Sequence, residues 1–443
     1  MSAIHELTSI APLPEFDVFT VPPTQMSVHD SYDVEYRPLA PVTADTPIEF
    51  QIRSSEHHYA VPSEIYLQME IEISLEKVAD GSNAPVEAYT ATNFRAVNNL
   101  LGALFKTVEV IVGGKVFKLQ PQMYPYRGYF ENFFGYDMVA QATFLKLSLW
   151  GASDADLKKS VAPGSDAKPK KFLIYGRLNT DITHQKKSLL GGSKIDIRLE
   201  PNDVSFYTVQ EENTTYTLAD YKAKAKFHSA VLNVHFQEVT EFLRLGHNQA
   251  LARGTAKYPL THTDIRHFTV GKGQNDLVVP NAIQGNLPRR SFVFFVDNAA
   301  LNGSRSKDPF KFLHCYVSAL SMEIDGRSFP TLPHKTDFVN KNWVKPYMDL
   351  IRILDQNVPH PYLTYPYAYF DKFPVFVIPF CPDLSSNCGY GGHVSPIHTN
   401  KHVTLKVTFD KPLEQVTSVI IYSEYDDIVE FDAERNCVSA ING

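Results

Sequence analysis

Cysteine and tryptophan are scarce in this 443-residue chain, with four of the first and two of the second. Cys315, Cys381, Cys388 and Cys437 stand far apart, all in the second half, without a Cys-x-x-Cys pair. Such spacing is a poor disulfide framework and leaves reduced thiols as the simpler reading. Trp150 and Trp343 are too few for the exposed indole platforms of a carbohydrate-binding protein. No apolar run approaches the roughly 20 residues of a membrane-spanning helix. An excess of positive charge is also missing: the net charge is −7 and the only basic cluster is Lys168-Pro169-Lys170-Lys171. Direct sequence-specific binding of nucleic acid by this chain is therefore not expected. The start, Met1-Ser2-Ala3-Ile4-His5-Glu6, shows no basic region followed by an apolar core, so the expectation is synthesis in the cytosol without a signal peptide. There is no Gly-x-Ser-x-Gly elbow and no Gly-x-x-x-x-Gly-Lys phosphate loop.

What is abundant points to sheets. The aromatic share is carried by 29 Phe and 23 Tyr, which suit half-buried pleated surfaces, and 29 Pro argue against long helices. Ile65-Tyr66-Leu67-Gln68-Met69-Glu70-Ile71-Glu72-Ile73 alternates apolar and polar residues, the pattern of a strand with one face on a core. The order of events then repeats. Val108 to Val112, Gly113-Gly114 and Lys115-Val116-Phe117 have their counterpart in Leu320 to Ile324, Asp325-Gly326 and Arg327-Ser328-Phe329, two hairpins with tight turns. An aromatic-rich helical stretch follows each, from Met123 to Phe134 and from Trp343 to Leu354. Leu173 to Asp181 is echoed by Val375 to Asp383, and Lys194 to Pro201 by Val403 to Pro412. Four landmarks in one order, offset by roughly 200 to 220 residues, indicate two copies of one domain.

The expected fold class is all-β: two tandem jelly-roll sandwiches with short helices in the connections. Residues 1–45, rich in proline, read as an extended arm, 46–240 as the first jelly roll, and 241–443 as the second with a connecting helix from Glu241 to Arg253. Tyr126, Tyr129, Phe130, Phe133 and Phe134 recur at helical spacing and read as a packing face. Ser153 to Lys171 reads as a polar surface loop, and Ser418 to Tyr425 as the last strand, closed by an acidic turn at Asp426-Asp427.

No catalytic residue and no cofactor is expected. His393, His398 and His402, near Cys388 and Gly389-Tyr390-Gly391-Gly392, are the weak metal candidates, since a cupin-like jelly roll binds metal through histidines. Their spacing matches no recognised ligand pattern and no carboxylate accompanies them, so solvated loop histidines are favoured over a metal site. His57, His58, His262 and His267 are weaker still. Asp426, Asp427, Glu430 and Asp432 read as a solvated edge rather than an acid/base pair.

Several stretches together carry a resemblance. They are Val97-Asn98-Asn99-Leu100-Leu101-Gly102-Ala103-Leu104-Phe105, Val110-Ile111-Val112-Gly113-Gly114-Lys115, Tyr124-Pro125-Tyr126-Arg127-Gly128-Tyr129-Phe130-Glu131 and Tyr175-Gly176-Arg177-Leu178-Asn179-Thr180-Asp181, with Gln185 to Leu190. In the second half Gly254 to Pro259, Leu287-Pro288-Arg289-Arg290, Val296 to Ser304, Asp308-Pro309-Phe310 and Tyr422-Ser423-Glu424-Tyr425-Asp426-Asp427 continue it. From about residue 45 to the end the chain resembles the hexon-like major capsid proteins of Polinton/Maverick elements and adintoviruses. The resemblance implies a double jelly roll that homotrimerises into pseudo-hexagonal capsomers of an icosahedral virion shell. Its implied partners are itself, neighbouring capsomers and a penton-type minor capsid protein. A tandem sandwich that binds or hydrolyses carbohydrate and a cupin-like metal protein are the alternatives. The chain departs from the family pattern at Gly113-Gly114 and Gly191-Gly192, where an Asn-Gly turn is usual, and at Thr183-His184, which replaces an aromatic-bearing stretch. Short connections imply that the tall loop towers of adenovirus hexon are missing.

Overall fold

The structure is a computed structural model that describes residues 14–77, 94–151, 157–158, 170–210, 221–356, 358, 361, 365–382, 399 and 401–440. Its first ten strands are β1 (Val28–Tyr36), β2 (Ile48–Arg53), β3 (His58–Lys77), β4 (Phe94–Ala96), β5 (Phe105–Val112), β6 (Lys115–Phe117), β7 (Lys171–Arg177), β8 (Lys194–Pro201), β9 (Thr208–Gln210) and β10 (Tyr221–Val239). A helix, Glu241–Leu251, leads on to β11 (Ala256–Val270), β12 (Asp276–Gly285), β13 (Arg290–Asp297), β14 (Val317–Ile324), β15 (Arg327–Lys335), β16 (Phe376–Pro379), β17 (Lys401–Phe409), β18 (Thr417–Phe431) and β19 (Cys437–Ala440).

Each half builds two sheets around one four-strand pattern, β19 adding a fifth strand beside β18. The first half gives β1-β10-β3-β7 and β2-β8-β5-β6, the second β11-β18-β13-β16 and β12-β17-β14-β15. With the small β4/β9 pair and the terminal β19 set aside, both halves join their strands in the order first-eighth-third-sixth and second-seventh-fourth-fifth. All these neighbours are antiparallel. That is jelly-roll connectivity, twice. The halfway repeat read from sequence is thus a repeat of topology.

Local chemistry explains the shared hairpins. Two-residue loops match the right-handed twist of their strands in the primed turns, of which the type I′ form needs positive φ at both central residues. Gly113 and Gly114 have it at 56° and 82°, and Asp325 and Gly326 at 50° and 78°. Val112 pairs with Lys115 and Ile324 with Arg327, so both turns have the same length and register.

Glycine at 113 and at 191 has a steric cause. A Cβ on Gly113 would lie 2.4 Å from the carbonyl oxygen of Arg435, because the turn before β19 sits against this hairpin and Cys437 N–H donates to the Gly113 carbonyl at 2.8 Å. A Cβ on Gly191 would lie 2.1 Å from the carbonyl oxygen of Glu56. Asparagine fits neither place. Gly191→Ala should therefore destabilise by roughly 1–3 kcal/mol or more, whereas Gly254→Ala, where nothing lies within 4 Å, should stay within about 0.5 kcal/mol in urea unfolding.

Two expectations need correction. The arm expected to residue 45 contains β1, which pairs with β10 along its length and is the first roll's opening strand, so a boundary at 46 falls inside the sandwich. The acidic turn expected at Asp426-Asp427 is strand: β18 runs on to Phe431, and the turn comes at Asp432–Asn436 before β19. Unbroken pairing with β11, Asp427 opposite Leu260 and Asp426 opposite Thr261, carries the chain past the two acids. Most of the loop expected from Ser153 to Lys171 lies outside the described residues.

Candidate functional site

The helix Tyr124–Gly135 leaves the first roll after β6 and crosses onto the second. Its aromatic stripe, legible from the helical spacing, is a packing face. Phe130 sits 4.3 Å from Phe294 and 5.4 Å from Tyr422, ring centre to ring centre, and Phe134 stacks on Phe292 at 5.7 Å. Tyr129 stacks on Phe310 at 4.7 Å, and Tyr126 donates its hydroxyl to the Pro309 carbonyl at 3.2 Å. Phe292 and Phe294 alternate along β13 with Phe295, which turns inward to meet Phe409 of β17. β13 is consequently buried on both faces, and the two rolls share one continuous hydrophobic core.

Beside the aromatic stack lies a chain of buried charges. Arg127 reaches Glu131 one helical turn on at 2.7 Å and Asp181, after β7, at 2.6 Å. Glu131 also meets His184 and takes the Asn179 amide N–H, both at 2.8 Å. Asp181 accepts from the second roll: His262 Nδ1 stands 2.7 Å from its Oδ2, and the Thr263 backbone N–H donates to Oδ1 at 3.3 Å. On the second-roll side of the seam, Arg289 binds Asp426 at 2.8 Å and Glu424 at 2.9 Å, and Arg290 joins Glu424 at 2.7 Å, all within that roll. Arg95 and Asp308 form a further bridge between rolls at 2.8 Å.

Burial by itself would raise the pKa values of Glu131, Asp181 and Glu424, but the neighbouring cations outweigh it. Arg127 and His184 hold Glu131 at about 2. Arg127 and His262 hold Asp181 well below the usual carboxylate range, and Arg290 and Arg289 lower Glu424. Desolvation is the largest influence on His262 and pulls its pKa down, but the charge and hydrogen bond of Asp181 together outweigh it and leave the pKa raised. Glu131, Asp181 and Glu424 are therefore ionised at neutral pH, each engaged by a cation. A cavity of about 400 Å³ opens here, lined by Arg127, Glu131, His184, Arg289 and Glu424 among others. Because its acids and bases are matched to each other, the arrangement joins two domains rather than presenting a proton donor or nucleophile to a substrate.

The sequence-derived candidates fall elsewhere. His402 lies exposed on β17, opposite Gln284, while His393 and His398 lie outside the described residues. Among the described residues no group of three His, Cys, Asp or Glu is placed to hold a metal ion. His58 takes up Ser55 at 2.8 Å, His57 and His267 are exposed, and His262 serves the seam. Asp426 and Asp427 are buried rather than solvated, because Asp426 faces Arg289 across the sheet. Arg127, Glu131 and Asp181 were not candidates from sequence. The one signal for them was the i, i+4 placement of Arg127 and Glu131 on the aromatic helix.

No family model matches the chain. An uncharacterised protein of Caenorhabditis elegans is 19% identical over 403 residues, spanning 89% of this chain and 93% of that protein. Among solved structures, a chain of the Sputnik virophage cryo-EM structure superposes with a TM-score of 0.61 at 11% identity, covering 99% of this chain and 94% of that one. The mavirus major capsid protein gives 0.54 at 10% identity, covering 99% and 96%. The PBCV-1 virus capsid model gives 0.53 at 10% identity, covering 95% and 99%. At such identities the likeness is one of architecture, and it spans nearly the whole length on both sides: the chain is a double jelly roll.

Proposed function

We propose that this chain is a structural major capsid protein whose homotrimers form pseudo-hexagonal capsomers of an icosahedral shell. The observation that carries the reading is the pair of topologically identical rolls fused through one core. Three such chains around a threefold axis set six similar sandwiches in a ring, a nearly hexagonal block that tiles with six neighbours. The virophage, mavirus and PBCV-1 likenesses support the same role, since those structures are of virus particles and capsid proteins. The seam supports a structural rather than an enzymatic chain, its buried acids being held in ion pairs.

Within this reading the lineage is that of Polinton/Maverick elements and adintoviruses, the site of action is the virion shell, and a penton-type minor capsid protein fills the fivefold positions. Light scattering of purified full-length protein tests the core of it. The expected species has three times the 50.0 kDa of one chain, with larger assemblies at high concentration. A strictly monomeric protein at every concentration would refute the proposal.

A further inference from the structure

The two rolls use their equivalent helices differently. Tyr124–Gly135 is buried on nearly every side, because one side packs on its own roll and the other on the β18-β13 face of the next. Its counterpart Val344–Ile353 buries only Pro346, Asp349, Leu350 and Ile353. Val344, Met348 and Arg352, spaced four residues apart along one stripe, are exposed, with Lys345 beside them.

The first roll shows the complementary vacancy. The echo between β7 and β16 aligns Tyr175 with Val377. Tyr175 pairs with Gln68, and Val377 with Phe292. Gln68 thus stands where Phe292 does, Glu70 where Phe294 does, and Val231, opposite Gln68, where Tyr422 does. In the second roll these positions lie beneath a helix. In the first they are half-exposed, next to the stacked pair Tyr66–Tyr175 and to Leu173, which is 58% exposed.

We infer that the Val344–Arg352 stripe of one copy covers the Gln68, Glu70, Leu173 and Tyr175 face of a second copy, repeating between chains the seam already built within one. This rests on the capsomer reading and specifies its contact. The occupant follows from continuity with the internal seam: a helix of one roll laid on the sheet of the next is a head-to-tail contact, and such contacts close into a ring when their rotation allows. Charge agrees, because Lys345 and Arg352 would approach Glu70 and the exposed Glu64 at the rim. The more polar character of the first roll's face also fits a contact formed after folding, whereas the second roll's face, centred on Phe292, Phe294 and Tyr422, is covered within its own chain.

The test uses full-length protein carrying Met348→Cys and Leu173→Cys together, treated with a short bis-maleimide and compared with each single variant and the unmodified chain. Covalent dimers and trimers specific to the double variant are expected. Met348→Asp should weaken the trimer at least tenfold in light scattering without lowering the melting temperature of the monomer, and Val278→Asp, exposed on β12, should not weaken it. Trimers that persist in Met348→Asp, and whose double-cysteine form links no better than the single variants, would overturn the contact while leaving the capsomer intact. Protein that is monomeric throughout would overturn both.

Discussion

Arg127→Met is expected to lose roughly 3–5 kcal/mol of stability, the usual cost of removing one partner from a buried charge network. The guanidinium is 5% exposed and serves two carboxylates at once, Glu131 and Asp181, themselves 14% and 4% exposed. Methionine fills much of the volume but leaves two acids facing each other with only His184 and His262 to answer them. Urea unfolding should show the loss as a lower midpoint at unchanged slope. Adding Glu131→Gln and Asp181→Asn should recover part of it, since the penalty lies in the stranded charges; no recovery would mean that Arg127 matters for its shape alone.

The same network gives the seam a pH signature. The ordinary values are 4.5 for Glu131 and 3.8 for Asp181, and both are depressed in the folded protein, to about 2 for Glu131. A depressed acid contributes stability that is complete above its unfolded value and is lost as pH falls through the folded one. His262 works in the opposite sense. Its raised pKa contributes fully below its ordinary 6.5 and is lost as pH rises through the folded value. The seam's contribution should therefore peak between about pH 4.5 and 6.5, and the acid limb of the profile should flatten in Arg127→Met.

Phe130→Ala should cost about 3–5 kcal/mol as well, and change how the protein melts. Phe130 is 1% exposed and touches Phe294, Phe312, Tyr422 and Phe373 of the second roll. The shared core predicts that the intact chain melts as one unit. Emptying the centre of the seam should split the calorimetric transition into two, one for each roll. A loss below about 1 kcal/mol with one unchanged transition would show that the rolls are coupled elsewhere.

Much of this architecture was visible in the residues, for identifiable reasons. Hairpin turns need specific residues at positive φ, so Gly113-Gly114 and Asp325-Gly326 announced themselves. The alternation from Ile65 to Ile73 reports directly on a half-buried strand, and the buried partners of β3 agree with it. The aromatic spacing after Tyr124 marked a packing face correctly but could not name the partner. β1 was missed because an edge strand, exposed over most of its length, lacks the apolar alternation that marks the others. Asp426 and Asp427 misled for a related reason. Adjacent acids look like a solvated turn until a distant cation, Arg289, is brought opposite one of them.

The sequence by itself determined the class of fold, the doubling and the order of the landmarks, because these follow from local periodicity and turn chemistry repeated along the chain. Only the tertiary structure decided that the first roll's helix belongs on the second roll's sheet, that Asp181 answers both Arg127 and His262, and why Gly113 and Gly191 carry no side chain. Those outcomes depend on contacts between residues distant in the chain, and a periodic pattern shows that a face will be covered without stating what will cover it.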